Sequence, residues 1–285
     1  MTDTSFKLNA SAKRQVEPKG SVSLTRGLLL GSDLYRGVRA WPLWLTLAWN
    51  DIAMRYRRST LGPLWMTLST GILVVSLGIL YSRIFQTDIA TYLPYLALGF
   101  IVWGFLSTTI NESCQAFSES ERIIKQIKIP FSVFVLRVVS RNFIVLMHTI
   151  ILIIPIAIFF RISPHFTALL ALPGLAILYI NLVWVGLVLA VLSTRFRDIP
   201  QIVTSVMQIA IFATPVMWQI SNLGEKTLIA DINPLYHWLE LVRGPLTGVL
   251  PSTSSWIASI ASAVLGTALA VLLLRRASRR IAYWL

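Results

Sequence analysis

Residues 55–63 read RYRRSTLGP and residues 64–85 read LWMTLSTGILVVSLGILYSRIF: a basic cluster, a Gly-Pro turn, then 22 residues carrying one charge. At 1.5 Å per residue a helix of that length reaches across the ~30 Å hydrocarbon core of a bilayer. Five more apolar stretches follow, at about 92–113, 143–161, 168–192, 200–220 and 255–274. The expectation is an all-α membrane protein with six transmembrane helices. Of 25 Lys and Arg, ten precede the first stretch, five lie between the second and third, two between the fourth and fifth, and four follow the sixth. Alternate loops therefore hold almost all the positive charge, and the positive-inside rule predicts an N-in, C-in topology.

Composition agrees. A chain that is 55% hydrophobic and 13% charged cannot cover itself with polar surface, whereas lipid solvates an apolar exterior. The formal charge of +13 sits beside the apolar stretches, which suits an anionic leaflet and not nucleic acid. Cys114 is the single cysteine, so it has no internal disulfide partner and reads as a buried thiol. No signal-peptide pattern opens the chain, so the first span is expected to be retained. There is no Gly-Lys dipeptide and hence no phosphate-binding P-loop; ATP, if used, binds another chain.

The chain divides into three regions. Residues 1–33, rich in Ser, Thr, Lys and Gly, read as a mobile cytoplasmic tail. Residues 34–58 place Leu34, Val38, Trp41, Leu45, Trp49, Ile52 and Tyr56 at helical steps, with Arg36, Arg39, Asn50 and Arg55 mostly off that face. That pattern describes an amphipathic helix in the membrane interface, or else one packed on a soluble partner, with a break at Pro42. Residues 59–285 form the transmembrane domain. Arg55, Arg57 and Arg58 either anchor the first span at the phosphate level or attract a lipid diphosphate, since Arg presents paired donors to phosphate oxygens.

Between the second and third stretches, Ile123, Ile124 and Ile127 mark one face of a short helix, Glu121 and Lys125 form an i,i+4 pair, and Pro130 ends it. Such a segment is a solvated loop helix or a lever on a soluble partner. Near the outer end, Asn233-Pro234 starts a helix with Leu235, Trp238, Leu239 and Val242 on one face, stopped at Gly244-Pro245; it reads as a short re-entrant or gate helix before the last span. His148, inside the third stretch, reads as a packing histidine, because no membrane carboxylate is evident to pair with it.

From about residue 40 onward the chain resembles the ABC-2 type permeases that export lipid-linked polysaccharides such as O-antigen, capsule and teichoic acid. The resemblance rests on Asp51-Ile-Ala-Met-Arg55-Tyr-Arg-Arg-Ser59 with Leu61-Gly-Pro-Leu-Trp65. Ile124-Lys125, Ile129-Pro130, Arg195-Phe-Arg-Asp198, Thr214-Pro215-Val216 and Asn233-Pro234-Leu235 come after it in order. It implies a permease subunit that is not itself an enzyme, works as a homodimer in a bacterial inner membrane, and is driven by two ATP-binding subunits. The chain would carry no cofactor of its own, ATP and Mg being held by the partner. It implies a coupling helix over Glu121, Arg122, Ile123, Ile124, Lys125 and Lys128 seated on the ATPase. It further implies that undecaprenyl diphosphate enters near Arg55, Arg57 and Arg58. Trp65, Tyr81, Trp103, Phe212 and Trp218 would then face the sugar path, since rings stack on apolar sugar faces; the alternative is an interface belt.

Two other functions are open to such a chain. One is the same fold with a small drug or another lipid as cargo. The other is a membrane enzyme acting on lipid-linked sugars, for which Glu225, Asp231, Glu240, His165 and His237 are scattered without a recognisable spacing. An ion channel or symporter would need intramembrane charges that the apolar stretches do not offer.

Overall fold

The computed structural model describes residues 32–57, 62, 64–162, 165–220 and 231–285. Every regular element among them is helical: α1 (Ser32–Arg39), α2 (Trp41–Tyr56), α3 (Leu64–Ile84), α4 (Ile89–Ser113), α5 (Glu121–Gln126), α6 (Ser132–Thr149), α7 (Ile153–Phe159), α8 (Ala171–Arg195), α9 (Ile199–Ala213), α10 (Pro234–Leu246) and α11 (Thr253–Trp284). A 3-10 turn at Ile150–Leu152 joins α6 to α7, and a second at Phe166–Leu170 leads into α8.

Five segments are long and apolar enough to cross a membrane: Thr67–Ile84, Ile89–Ser113, Ser132–Phe159, Phe166–Arg195 and Thr253–Trp284. The expected fifth span, 200–220, holds α9, an apolar helix of 15 residues and so shorter than these five. Its helix stops at Ala213 because Thr214 is extended (φ −97°, ψ 136°) and Pro215 comes next, disfavouring helical backbone before it and supplying no N–H. The third span begins at Ser132, eleven residues before its apolar stretch. Arg137, Arg141 and Asn142 make its first turns resemble a polar loop. The last helix runs ten residues beyond its apolar stretch, to Trp284.

The tail boundary also shifts. α1 starts at Ser32, and Asp33 is buried at the N-terminus of α6, where its carboxylate accepts from the backbone N–H groups of Phe131 and Ser132, both at 3.1 Å. A carboxylate there satisfies orphan donors and suits the positive end of the helix dipole. Pro42 lies in the first turn of α2, and the break predicted there falls at Ala40.

α4 is the most enclosed span, its Val102 and Leu106 sharing the main core with Phe134 of α6 and Leu178 and Leu182 of α8. Small residues and polar side chains join the spans, as expected where lipid removes any hydrophobic drive between helices. Gly266 of α11 receives the ring of Trp184 from α8. Asn181 of α8 donates to the Ser259 carbonyl at 3.1 Å and accepts from Trp184 and Ser262. α3 is among the least enclosed spans, with Leu64, Leu68, Ile72 and Ile79 exposed. The chain is a multi-pass membrane protein.

Candidate functional site at the basic end of the bundle

α2 lies along α6, and of its apolar face only Ile52 is buried there. Ala48 and Ile52 are buried, while Trp41, Leu45 and Trp49 face outward. The small Ala48 permits close approach, and a polar lattice then locks the pair. Asp51 and Arg55, one turn apart on α2, meet Arg137, Arg141 and Asn142 of α6 and Glu112 at the end of α4. Arg137 Nε donates to Asp51 Oδ2 at 2.6 Å. Arg141 is shared, with Nη1 to Asp51 Oδ2 at 3.0 Å and Nη2 to Glu112 Oε2 at 2.7 Å. Asn142 Nδ2 also reaches Glu112 Oε2 at 2.7 Å, and Arg55 Nη2 reaches Glu112 Oε1 at 3.1 Å.

Three guanidinium groups against two carboxylates leave an excess positive charge. It falls on Arg55, whose side chain is 41% exposed, compared with 8% for Arg141. Arg55 also lines a cavity of about 280 Å³ with Thr70, Thr108 and Asn142 on its polar side and Phe100 and Phe105 on its apolar side. An anion reaching this cavity would compete with Glu112 for Arg55. Arg57 is exposed at the end of α2, and Arg58 lies outside the described residues.

The segment expected to couple to a partner contains α5. Lys125 and Glu121 pair at 2.6 Å, and Ile123 and Ile124 pack onto the main core. Ile127 does not join that face: the helix has ended, its backbone is extended (φ −127°, ψ 134°), and its side chain is exposed. Arg122, Lys125 and Lys128 also point outward. The element is held from behind by two isoleucines and presents cations in front.

The five aromatic candidates do not share one surface. Trp65 and Phe212 are exposed, Tyr81 stacks on Phe85 at 5.6 Å, and Trp218 is half-buried, donating to the Phe212 carbonyl at 3.0 Å. Trp103 is buried in the main core.

A second polar cluster, which sequence reasoning missed, grips the chain after α9. Arg243 of α10 is 2% exposed; its guanidinium lies 4.0 Å from the Tyr95 ring centroid, pairs with Glu240 and donates to the Pro215 carbonyl. Tyr95 donates to the carbonyls of Pro215 and Trp218, at 3.1 and 2.9 Å, and Tyr92 donates to Met217. Asn233 caps α10 by accepting from Leu235 N–H at 3.0 Å, and it donates to Thr214 Oγ1 at 2.8 Å. The only sequence signal was Arg243 itself, a charge within an apolar helix one turn from Glu240.

Of the residues weighed for an enzyme, His237 bonds Ser255 Oγ and the Asp231 carbonyl, Glu240 holds Arg243, and His165 is exposed. Glu225 lies outside the described residues. No group of three or more metal-ligating side chains occurs among the described residues. His148 is half-buried, and its Nε2 has no hydrogen-bond partner, contrary to the expectation of a satisfied packing histidine. Cys114 is buried, and burial pushes its thiol pKa up.

A family model described as ABC-2 type transporter matches residues 42–246. The chain is 23% identical over 205 residues to a Myxococcus xanthus protein named O-antigen export system permease protein RfbA, covering 70% of this chain and 76% of that one. Two Klebsiella pneumoniae proteins of the same name are also similar. One is 23% identical over 188 residues (65% and 73% covered), the other 24% over 207 residues (70% and 79% covered).

Proposed function

The chain belongs to the ABC-2 type transporter family, and from that membership we propose that it is the permease subunit of an ATP-driven exporter of lipid-linked polysaccharide, most specifically O-antigen. Two copies form a channel across a bacterial inner membrane with both termini in the cytoplasm, and two ATP-binding subunits seat against α5. The carrying observation is the lattice that fixes α2 against α6 and α4 and leaves its surplus positive charge on Arg55, beside a part-polar cavity. A fixed guanidinium at the depth where a span begins suits a phosphate, which it can bind through two parallel donors.

No bond of the cargo is made or broken by this chain in this reading. Hydrolysis in the partner pushes α5, and the push reaches the core through Ile123 and Ile124. A long polymer cannot be enclosed in one cavity, so it moves stepwise through a channel. Arg55 and Arg57 meet the lipid diphosphate of undecaprenyl-linked glycan, with Arg58 next in sequence, and exposed rings such as Trp65 and Phe212 border the sugars.

Depletion in the host, followed by fractionation of lipid-linked glycan, tests the reading. Full-length polymer should accumulate on the inner face while surface glycan disappears. Unchanged surface glycan, with a drug or another lipid retained instead, would remove the polysaccharide assignment and leave the family membership intact.

A further inference from the structure

α8 and α11 end side by side, and their last turns enclose a cavity of about 190 Å³ between Leu192, Arg195, Leu273, Arg276, Arg280 and Trp284, none of them a member of the lattice. Three arginines therefore converge on one small space. None of the three forms an ion pair with a carboxylate among the described residues, and Asp198, one turn from Arg195, is exposed without bridging to it. Arg276 and Arg280 stand at i,i+4, a spacing at which like charges destabilise a helix. Arg195 is oriented by aromatic rings, its guanidinium carbon 5.4 Å from the Trp284 ring centroid and 5.3 Å from that of Phe196.

We propose that Arg195, Arg276 and Arg280 seat the phosphate headgroup of an anionic membrane lipid, in the leaflet adjoining the basic end of the bundle. Depth decides between a lipid and a soluble anion. The apolar part of α11 ends near Leu274, so Arg276 and Arg280 lie ~3 and ~9 Å further along at 1.5 Å per residue. Arg276 thus falls within the headgroup layer, which adds ~5–8 Å on each side of the hydrocarbon core, and Arg280 at its outer edge. Leu192 and Leu273 supply an apolar wall below the cations, and Leu272 and Leu269 continue an exposed apolar surface toward the bilayer centre. The cavity has room for about six waters at ~30 Å³ each, which suits a phosphate group but not a whole lipid, whose chains run down that surface. Uncommitted positive-inside charges would spread around the helix; here two of the four arginines at the end of α11, with Arg195, face one cavity, while Arg275 and Arg279 do not line it.

That split provides a matched control. The full chain is purified in mild detergent, titrated with short-chain phosphatidylglycerol and read by native mass spectrometry, with phosphatidylcholine and inorganic phosphate as comparison arms. Wild type and R275Q/R279Q should retain one discrete phosphatidylglycerol adduct, neither phosphatidylcholine nor inorganic phosphate should replace it, and R276Q/R280Q should lose it by about tenfold. Equal loss in both double variants would reduce the cluster to general charge and overturn the proposal. So would displacement by inorganic phosphate, or lipid retention in R276Q/R280Q with loss of a co-purifying ATP-binding subunit. If R276Q/R280Q does not fold, the wild-type titration alone decides: a single saturating adduct supports the seat, and a continuous ladder of adducts refutes it.

Discussion

Arg141 touches both carboxylates of the α2 lattice, so its loss is felt twice. Asp51 would keep Arg137, and Glu112 would keep Arg55 and Asn142, but each would lose a partner where little water can replace it. Breaking a buried pair from one side costs about 3–5 kcal/mol. Arg141→Met should therefore lower the thermal midpoint of the purified protein markedly, and an unchanged midpoint would contradict the lattice. Cys114 supplies a gentler check. Buried, with its thiol pKa raised, it is poorly nucleophilic, because the thiolate is the reacting form. Maleimide labelling of the native protein should be slow at neutral pH and should become rapid in denaturant. The i,i+4 pairs Asp51/Arg55 and Arg137/Arg141 were visible in the sequence, but their meeting was not, because helical spacing describes one helix and never names the helix that will face it.

At the scale of elements, α9 and the turn leaving it form the least expected part of the molecule. Apolar content alone predicts an apolar segment to residue 220, whereas the helix ends before Pro215, and Tyr92, Tyr95, Arg243 and Asn233 hold the turn that follows by its own backbone carbonyls and Thr214. Tyr95→Phe removes one hydroxyl that serves two carbonyls. The Pro215 carbonyl would keep Arg243 while the Trp218 carbonyl is left unmet, so a cost of about 1–3 kcal/mol is expected, together with faster hydrogen exchange across 214–218. Exchange unchanged from wild type would show that the clamp is not what fixes this segment. Elsewhere sequence and structure agree where the signal was redundant: Asn233-Pro234 starts α10 as capping rules require, and Trp238, Leu239 and Val242 are its buried face. They part where one cue stood alone. Arg137 and Arg141 read as loop charges because their partners come from other helices, and so the start of the third span was placed too late.

For the whole molecule, the question is how a force from outside would enter. α5 is short and has no fully buried residue, so its hold on the fold rests on Ile123 and Ile124, while Arg122, Lys125 and Lys128 face outward, where a partner can reach them. The exposed Glu121–Lys125 pair contributes about 0.3–0.5 kcal/mol, too little to make folding depend on it. E121K/R122E should thus insert and purify as wild type yet lose assembly with, and stimulation of, an ATP-binding partner; both unaffected would place the contact elsewhere. Recognition of the family came from short motifs in the right order, whereas the size and shape of the cavities depend on side chains brought together from distant spans and could not be read from any one of them.

α9, at 15 residues, is about 22 Å long, some 8 Å short of an ordinary hydrocarbon core. Ile202, Val206 and Ile209 form an exposed apolar stripe along it, beside the exposed Gln201, Ser205 and Gln208. Lipid wetting that flank must shorten its chains or tilt to meet it, and each ångström of misfit costs a fraction of a kcal/mol. Lipid so shortened leaves a dimple beside α9, a patch of thinned membrane where the barrier that a polar headgroup must cross is lowest.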